Sequence, residues 1–358
     1  FPEPSLVLDL KAEYIGVTSV NLTWTVNDTA SASYTYRIQV AHETFVNDME
    51  SNVTKIVVTE LIPGTFYNFT VFAIAADGQT EGEGASISLY TKPSPVLHLM
   101  AEYVGVTSVN LIWTVNDTAS ASYTYRIEVR NGPSISNETS SITGAEITSL
   151  IPGTLYSFTV FAVAADGETE GEGALISLYT KPSLVLDLKA EYIGVTSVNL
   201  TWTVNDTASA SYTYRVEVTS GSFVYNLTSA VMMAEITGLI PGTLYSFKVF
   251  ALAADNQTEG EGASMSLYTK PSPVLHLMAE YVGVTSVNLI WTVNDTASAS
   301  YTYRIEVRNG PSISNETSSI TGAEITSLIP GTLYSFTVFA VAADGETEGE
   351  GALISLYT

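Results

Sequence analysis

Twelve of the 17 asparagines stand in Asn-x-Ser/Thr, the tripeptide that accepts N-linked glycans in the secretory pathway. They are Asn21, Asn27, Asn52, Asn68, Asn116, Asn137, Asn199, Asn205, Asn226, Asn256, Asn294 and Asn315. Ser and Thr make up about a quarter of the chain, so chance gives roughly 4 such sites. The excess points to an exported, glycosylated protein. Other chemistry is thin. There is no cysteine, hence no thiol nucleophile, thiolate zinc site or redox pair. The histidines are His42, His98 and His276, and His98 and His276 fall in identical surroundings where two other copies have Asp9 and Asp187. No Ser/His/Asp set is apparent. Glu168, Glu170 and Glu172 form the densest acidic cluster. Converging carboxylates could hold calcium, but alternate positions on a strand read as a solvated stripe. No catalytic residue, metal or cofactor is expected.

The elements that must position these residues repeat. The only tryptophans, Trp24, Trp113, Trp202 and Trp291, are spaced by 89 residues. Residues 91–180 read identically to 269–358, and Pro4–Arg37 identically to Pro182–Arg215. A unit this long can hold its own core, unlike a solenoid repeat. Four domains are therefore expected, at 1–92, 93–181, 182–270 and 271–358. Within a unit, Val20-Asn21-Leu22-Thr23-Trp24 alternates apolar and polar, as do Tyr34 to Val40 and Tyr67 to Ala73, the period of half-buried strands. Asn27-Asp28, Pro63-Gly64 and Asp77-Gly78 mark turns. No capped amphipathic helix is present. The pattern predicts an all-β chain of four antiparallel, immunoglobulin-like β-sandwiches. Short Tyr-Thr-Lys-Pro-Ser links predict a stiff, elongated rod. Strands of about 8 residues make each sandwich roughly 30 Å long and the rod on the order of 120 Å.

The strand phase places the sequons. With Leu22 and Trp24 inward, Asn21 and Thr23 face solvent, and with Tyr67 and Phe69 inward, Asn68 faces solvent. Where copies one and three have Thr23 and Thr201, copies two and four have Ile112 and Ile290. The change removes a sequon and exposes an apolar side chain, a candidate contact face. Phe161 and Val163 are expected to face outward on the other sheet, beside Arg126.

Charge is lopsided, with 13 Lys+Arg against 37 Asp+Glu and a net charge of −24. Nucleic acid and anionic lipid headgroups are excluded as partners by repulsion. No apolar run approaches the roughly 20 residues of a membrane span, so direct insertion of this segment is not expected. The chain opens on Phe1-Pro2 without a charged-then-apolar leader, as a segment of a larger protein would.

Two motifs carry a family resemblance. The Trp of the second strand and the Leu-x-Pro-Gly-Thr-x-Tyr run, from Leu61 to Tyr67 and again at Leu150–Tyr156, Leu239–Tyr245 and Leu328–Tyr334, resemble the core Trp and tyrosine corner of fibronectin type III repeats. The resemblance implies structural roles for the four tryptophans and for Tyr67, Tyr156, Tyr245 and Tyr334. More narrowly, Leu22–Asp28, Tyr34–Ile38, Gly-Thr-x-Tyr-x-Phe-x-Val and Asp-Gly-x-Thr-Glu-Gly are similar to repeats of receptor-type tyrosine phosphatases of the density-enhanced (eta) subgroup. That resemblance implies a glycosylated segment on the extracellular side of the plasma membrane. It would act as a spacer and as a surface for an extracellular or cell-surface protein partner. The subgroup's phosphatase motif, His-Cys-x5-Arg, is absent here for want of a cysteine. A secreted or matrix adhesion protein built of the same repeats is the alternative. A spacer within a secreted bacterial polysaccharide-degrading enzyme is a third reading, against which the dense sequons count.

Overall fold

The computed structural model describes residues 1–358, which divide into two compact units, Phe1–Thr180 and Lys181–Thr358. Unit 1 opens with β1 (Val7–Tyr14), β2 (Val20–Val26), β3 (Thr35–His42), β4 (Phe45–Ser51), β5 (Lys55–Val58), β6 (Phe66–Ile74) and β7 (Ala85–Tyr90). These form a three-stranded sheet, β1-β2-β5, and a four-stranded sheet, β4-β3-β6-β7, with every pairing antiparallel. The second sandwich of unit 1 repeats the plan with β8 (Val96–Val104), β9 (Val109–Val115), β10 (Thr124–Asn131), β11 (Ser134–Ser140), β12 (Gly144–Ile147), β13 (Leu155–Val163) and β14 (Ala174–Tyr179). Unit 2 contains β15 (Leu186–Tyr192), β16 (Val198–Thr203), β17 (Thr213–Ser220), β18 (Phe223–Ser229), β19 (Met233–Ile236), β20 (Leu244–Leu252) and β21 (Ala263–Tyr268). It continues with β22 (Leu275–Val282), β23 (Val287–Thr292), β24 (Thr302–Asn309), β25 (Ser312–Ser318), β26 (Gly322–Ile325), β27 (Leu333–Val341) and β28 (Ala352–Tyr357). The only helical pieces are four three-residue 3-10 turns, and no helix is long and apolar enough to cross a membrane.

Alternation along the strands is what builds each core. In β2 the inward residues Val20, Leu22 and Trp24 are buried, and in β6 so are Tyr67, Phe69, Val71 and Ala73. Trp24 meets Tyr36 edge to face at 5.2 Å, and the other three copies repeat the pair at 5.2–5.3 Å. An edge-to-face pair adds about 1 kcal/mol beyond area burial. The sandwich end is tied at the tyrosine corner. The Tyr67 hydroxyl accepts a hydrogen bond from the Ile62 N–H at 3.0 Å, and Tyr156, Tyr245 and Tyr334 accept the equivalent bonds. Thr91 closes the last strand against the same corner by donating to the Ile62 carbonyl at 2.6 Å.

The first strand of each copy carries a β-bulge. Register slips between Leu8 and Lys11 and between Leu97 and Met100. The extra residue, Asp9 or His98, has φ of 51° or 52°. Asp and His tolerate this left-handed conformation better than most residues. His98 is therefore a bulge residue, bonded through Nδ1 to Thr114 Oγ1 at 2.9 Å. The same hydroxyl lies 3.2 Å from the Leu97 carbonyl. His276 repeats the arrangement with Thr292, and His42 instead donates from Nδ1 to the Phe66 carbonyl.

Candidate functional site

None of the 12 sequon asparagines is buried; Asn21, Asn68 and Asn199 are half-buried and the rest exposed. Their amide groups are oriented in a consistent way. Asn137, Asn226 and Asn315 accept through Oδ1 from Arg126, Arg215 and Arg304 at 3.0–3.1 Å. Asn68 accepts from Ser88, and Asn256 accepts from Thr213. A donor on the partner forces the oxygen to face it, which leaves Nδ2, the atom that carries a glycan, directed away. Asn110 and Asn288 stand outside any sequon and do the reverse, donating from Nδ2 to Glu102 and Glu280. Asn137, Asn226 and Asn315 lie on the outer edge strands β11, β18 and β25, and Asn52 immediately follows β4.

The four-stranded sheet carries an arginine clamp that the sequence did not reveal. The Arg126 guanidinium lies 4.2 Å over the Phe161 ring and grips Glu170 with two bonds of 2.6 and 2.8 Å. Arg37, Arg215 and Arg304 stack on Phe72, Phe250 and Phe339 at 4.0–4.2 Å and bond Glu81, Glu259 and Glu348. Hydrogen bonding from Arg126 holds the Glu170 carboxyl below its ordinary value. Gly173 is required beneath the ring, since a Cβ there would lie 2.6 Å from Phe161.

The clamp corrects two expectations. Phe161 does face outward beside Arg126, which covers its ring, but Val163 is buried rather than outward-facing, because the chain folds back to bridge Val163 with Glu170. Glu168, Glu170 and Glu172 do not alternate on a strand. Glu168 lies in the turn after β13, Glu170 makes the isolated bridge, and Glu172 precedes β14. No group of three His, Asp or Glu side chains converges with metal-ligand geometry.

Ile112 and Ile290 are half-buried on the outer face of the three-stranded sheets. Ile112 sits in a cross-strand row between Met100 and Gly144, and Ile290 between Met278 and Gly322. Within unit 1 the two copies also touch. Gly64, at φ 62°, faces the Tyr123 ring so closely that a Cβ would fall 2.1 Å from the hydroxyl oxygen. That hydroxyl donates to Asp117 at 2.5 Å, and Asp117 accepts from the Ser94 N–H. Burial and this bond raise the Tyr123 pKa. Beside the contact runs an open groove of about 660 Å³, lined in part by His42, Phe66, Tyr90 and Ser122. It is shallow and lacks a converging set of polar groups.

A family model for the fibronectin type III domain matches residues 2–89, 93–177, 180–266 and 271–355. The chain belongs to the fibronectin type III family. It consists of four tandem type III domains, and the buried Trp–Tyr pair and tyrosine corner are the parts of the family pattern that the core uses. The chain is 73% identical over 356 residues to receptor-type tyrosine-protein phosphatase eta of Gallus gallus, covering 99% of this chain and 25% of that protein. Against receptor-type tyrosine-protein phosphatase eta of Homo sapiens the identity is 31%, covering 95% of this chain and 25% of that protein. It thus spans about a quarter of the length of these curated relatives. Among solved structures, the FN1–FN3 domains of chicken CNTN1 match 74% of this chain and 99% of theirs at 17% identity and a TM-score of 0.27.

Proposed function

We propose that this chain is an extracellular, N-glycosylated segment of a receptor-type tyrosine phosphatase, in which type III domains space the receptor from its surroundings and present faces for a protein partner. The observation that carries the reading is the 73% identity to the chicken phosphatase across 99% of the chain. The accessible sequons support export, and the free Nδ2 groups support modification. The mechanism is geometric. Domain length and glycan bulk set how close an attached catalytic domain comes to substrates at the membrane. A glycan on an edge strand also shields backbone groups that could otherwise pair with another chain.

The test is to sequence the parent transcript beyond Thr358. A membrane span followed by a domain bearing His-Cys-x5-Arg is the expected result. Further repeats ending in a stop, with neither feature, would replace this reading with a secreted adhesion protein. Mass spectrometry of peptides after enzymatic glycan release tests the modification separately; an unmodified Asn137, Asn226 and Asn315 in the exported protein would remove the edge-strand role.

A further inference from the structure

We infer that the outer face of the three-stranded sheet in the second and fourth domains is a protein-docking surface, and that its partner presents an apolar centre flanked by lysine or arginine. The inference deepens the reading of this chain as an ectodomain, since it needs that face to be accessible outside the cell.

Four differences between alternate domains converge on this face. In the first domain the central cross-strand row is Lys11–Thr23–Lys55, and in the third it is Lys189–Thr201–Met233. In the second it is Met100–Ile112–Gly144, and in the fourth Met278–Ile290–Gly322. The lysines are gone and an apolar row replaces them. Secondly, β8 and β22 contain another register slip, after Ala101 and Ala279, that β1 and β15 lack. In β8 the slip pairs Tyr103 with Asn110, on the outward side, and returns Val104 to the core; in β22 it pairs Tyr281 with Asn288 in the same way, while Val282 stays 43% exposed. Tyr103 is consequently 59% exposed. Its counterpart Tyr14 is instead tied by its hydroxyl to the Tyr90 carbonyl at 2.7 Å. Thirdly, the Ile substitutions delete the sequon, and the Asn110 and Asn288 amides are engaged by Glu102 and Glu280. No glycan can cover the row from this position, whereas Asn21 and Asn199 carry sequons in the other two domains.

The fourth difference is electrostatic and names the partner. No Lys or Arg occurs in β8, β9 or β12, or in β22, β23 or β26, while exposed Glu102 and Glu146 rim the row. A second copy would bring acidic rim against acidic rim in a chain of net charge −24, and like charges brought together oppose association. A cationic rim around an apolar centre complements the face. Isolated surface apolars are ordinary; a charge deletion, a bulge and a lost glycan site acting on one face are not explained that way.

The probe is a synthetic β-hairpin with a Leu/Phe face flanked by lysines, compared with a twin flanked by glutamates. Methyl NMR of the intact chain reads Met100, Ile112, Met278 and Ile290. The lysine peptide should shift these four residues, with affinity falling about tenfold as salt is raised, and the glutamate peptide should not. The control variant places the first domain's residues in the second and fourth, as Met100→Lys, Ile112→Thr, Met278→Lys and Ile290→Thr. Asn110→Gln and Asn288→Gln keep the restored sequons unglycosylated. Because the same fold already carries these residues in the first domain, folding should survive, and binding should drop tenfold or more. Equal binding of both peptides, or no shift at the four residues, overturns the proposal. So does sedimentation showing self-association that the variant abolishes, which would assign the face to a second copy. None of these outcomes bears on the sequence of the parent beyond Thr358, so failure here is distinguishable from failure of the ectodomain reading.

Discussion

Arg126 is held from three sides, by the Phe161 ring below, Glu170 at two nitrogens, and Asn137 at the third. The group is partly exposed, so solvent screening limits the ion pair to about 1 kcal/mol or less, with a similar contribution from stacking. Arg126→Met keeps an apolar stem over the ring but removes the charge. It should cost about 1 kcal/mol at neutral pH by chemical denaturation. The pH dependence has a definite sign. Glu170 is held below its ordinary value in the folded state, so the pair stabilises above the unfolded Glu pKa of about 4.3 and loses that contribution as pH falls through the lower folded value. The gap between native and variant stabilities should therefore close on acidification. A gap that stays constant would show that stacking alone matters. Asp77 gives a second, independent acid limb. The Thr80 hydroxyl, together with the Thr80 and Gln79 N–H groups, lowers its pKa from 3.8 to about 2. Asp77→Asn should flatten the loss of stability between about pH 4 and pH 2, measured by thermal melts across that range. The sequence showed the acids but not the clamp, because its Arg and Glu are 44 residues apart and meet only once β10 has paired with β13.

At the scale of elements, alternation made β2, β3 and β6 legible, since each keeps strict phase from end to end. The first strand of each copy was harder to read. Val96-Leu97-His98-Leu99-Met100-Ala101-Glu102-Tyr103-Val104 is nearly continuous in hydrophobicity, and two bulges break its phase. Only the paired backbone shows that Met100 and Tyr103 join Ile112 outside. The corner loops pose a similar problem. Pro63-Gly64 reads as a turn, but nothing local shows that Gly64 also seats Tyr123. Gly331 provides the control: it has nearly the same backbone, φ 66°, with nothing within 4 Å of its Cβ position. Gly331→Ala should cost about 1–2 kcal/mol, the left-handed penalty alone. Gly64→Ala should cost more and displace the Tyr123 ring. The hydroxyl of Tyr34 is bonded to Asp28 in the same way and has a pKa raised to about 12. Freed from its socket, Tyr123 should titrate nearer to Tyr34, as followed by NMR of labelled tyrosine rings. Identical costs for the two variants, with Tyr123 unmoved, would mean that the contact adds nothing to the joint.

At the scale of the molecule, burial is divided into four. Each hydrophobic cluster draws its residues from one repeat, the first from Val7 to Leu89, the second from Val96 to Leu178, the third from Val185 to Leu267 and the fourth from Val274 to Leu356. The 89-residue period made this organisation legible without coordinates, because a core must close within each copy if the copies are to be interchangeable. A domain of this size has about 5–10 kcal/mol of stability, whereas replacing a buried Trp by Ala removes about 3–5 kcal/mol. Trp24→Ala should therefore bring the first domain to the edge of unfolding while leaving the cores of the third and fourth intact. The chain would not melt as one two-state unit. Calorimetry should show an early transition carrying about a quarter of the unfolding enthalpy, which scales with chain length, followed by the remainder near its original temperature. Hydrogen exchange should accelerate in β1 to β7 and hold in β15 to β28. If instead the whole chain unfolded in a single lowered transition, the domains would be thermodynamically coupled, and a contact such as Gly64–Tyr123 would have to carry several kcal/mol rather than only orient one domain on the next.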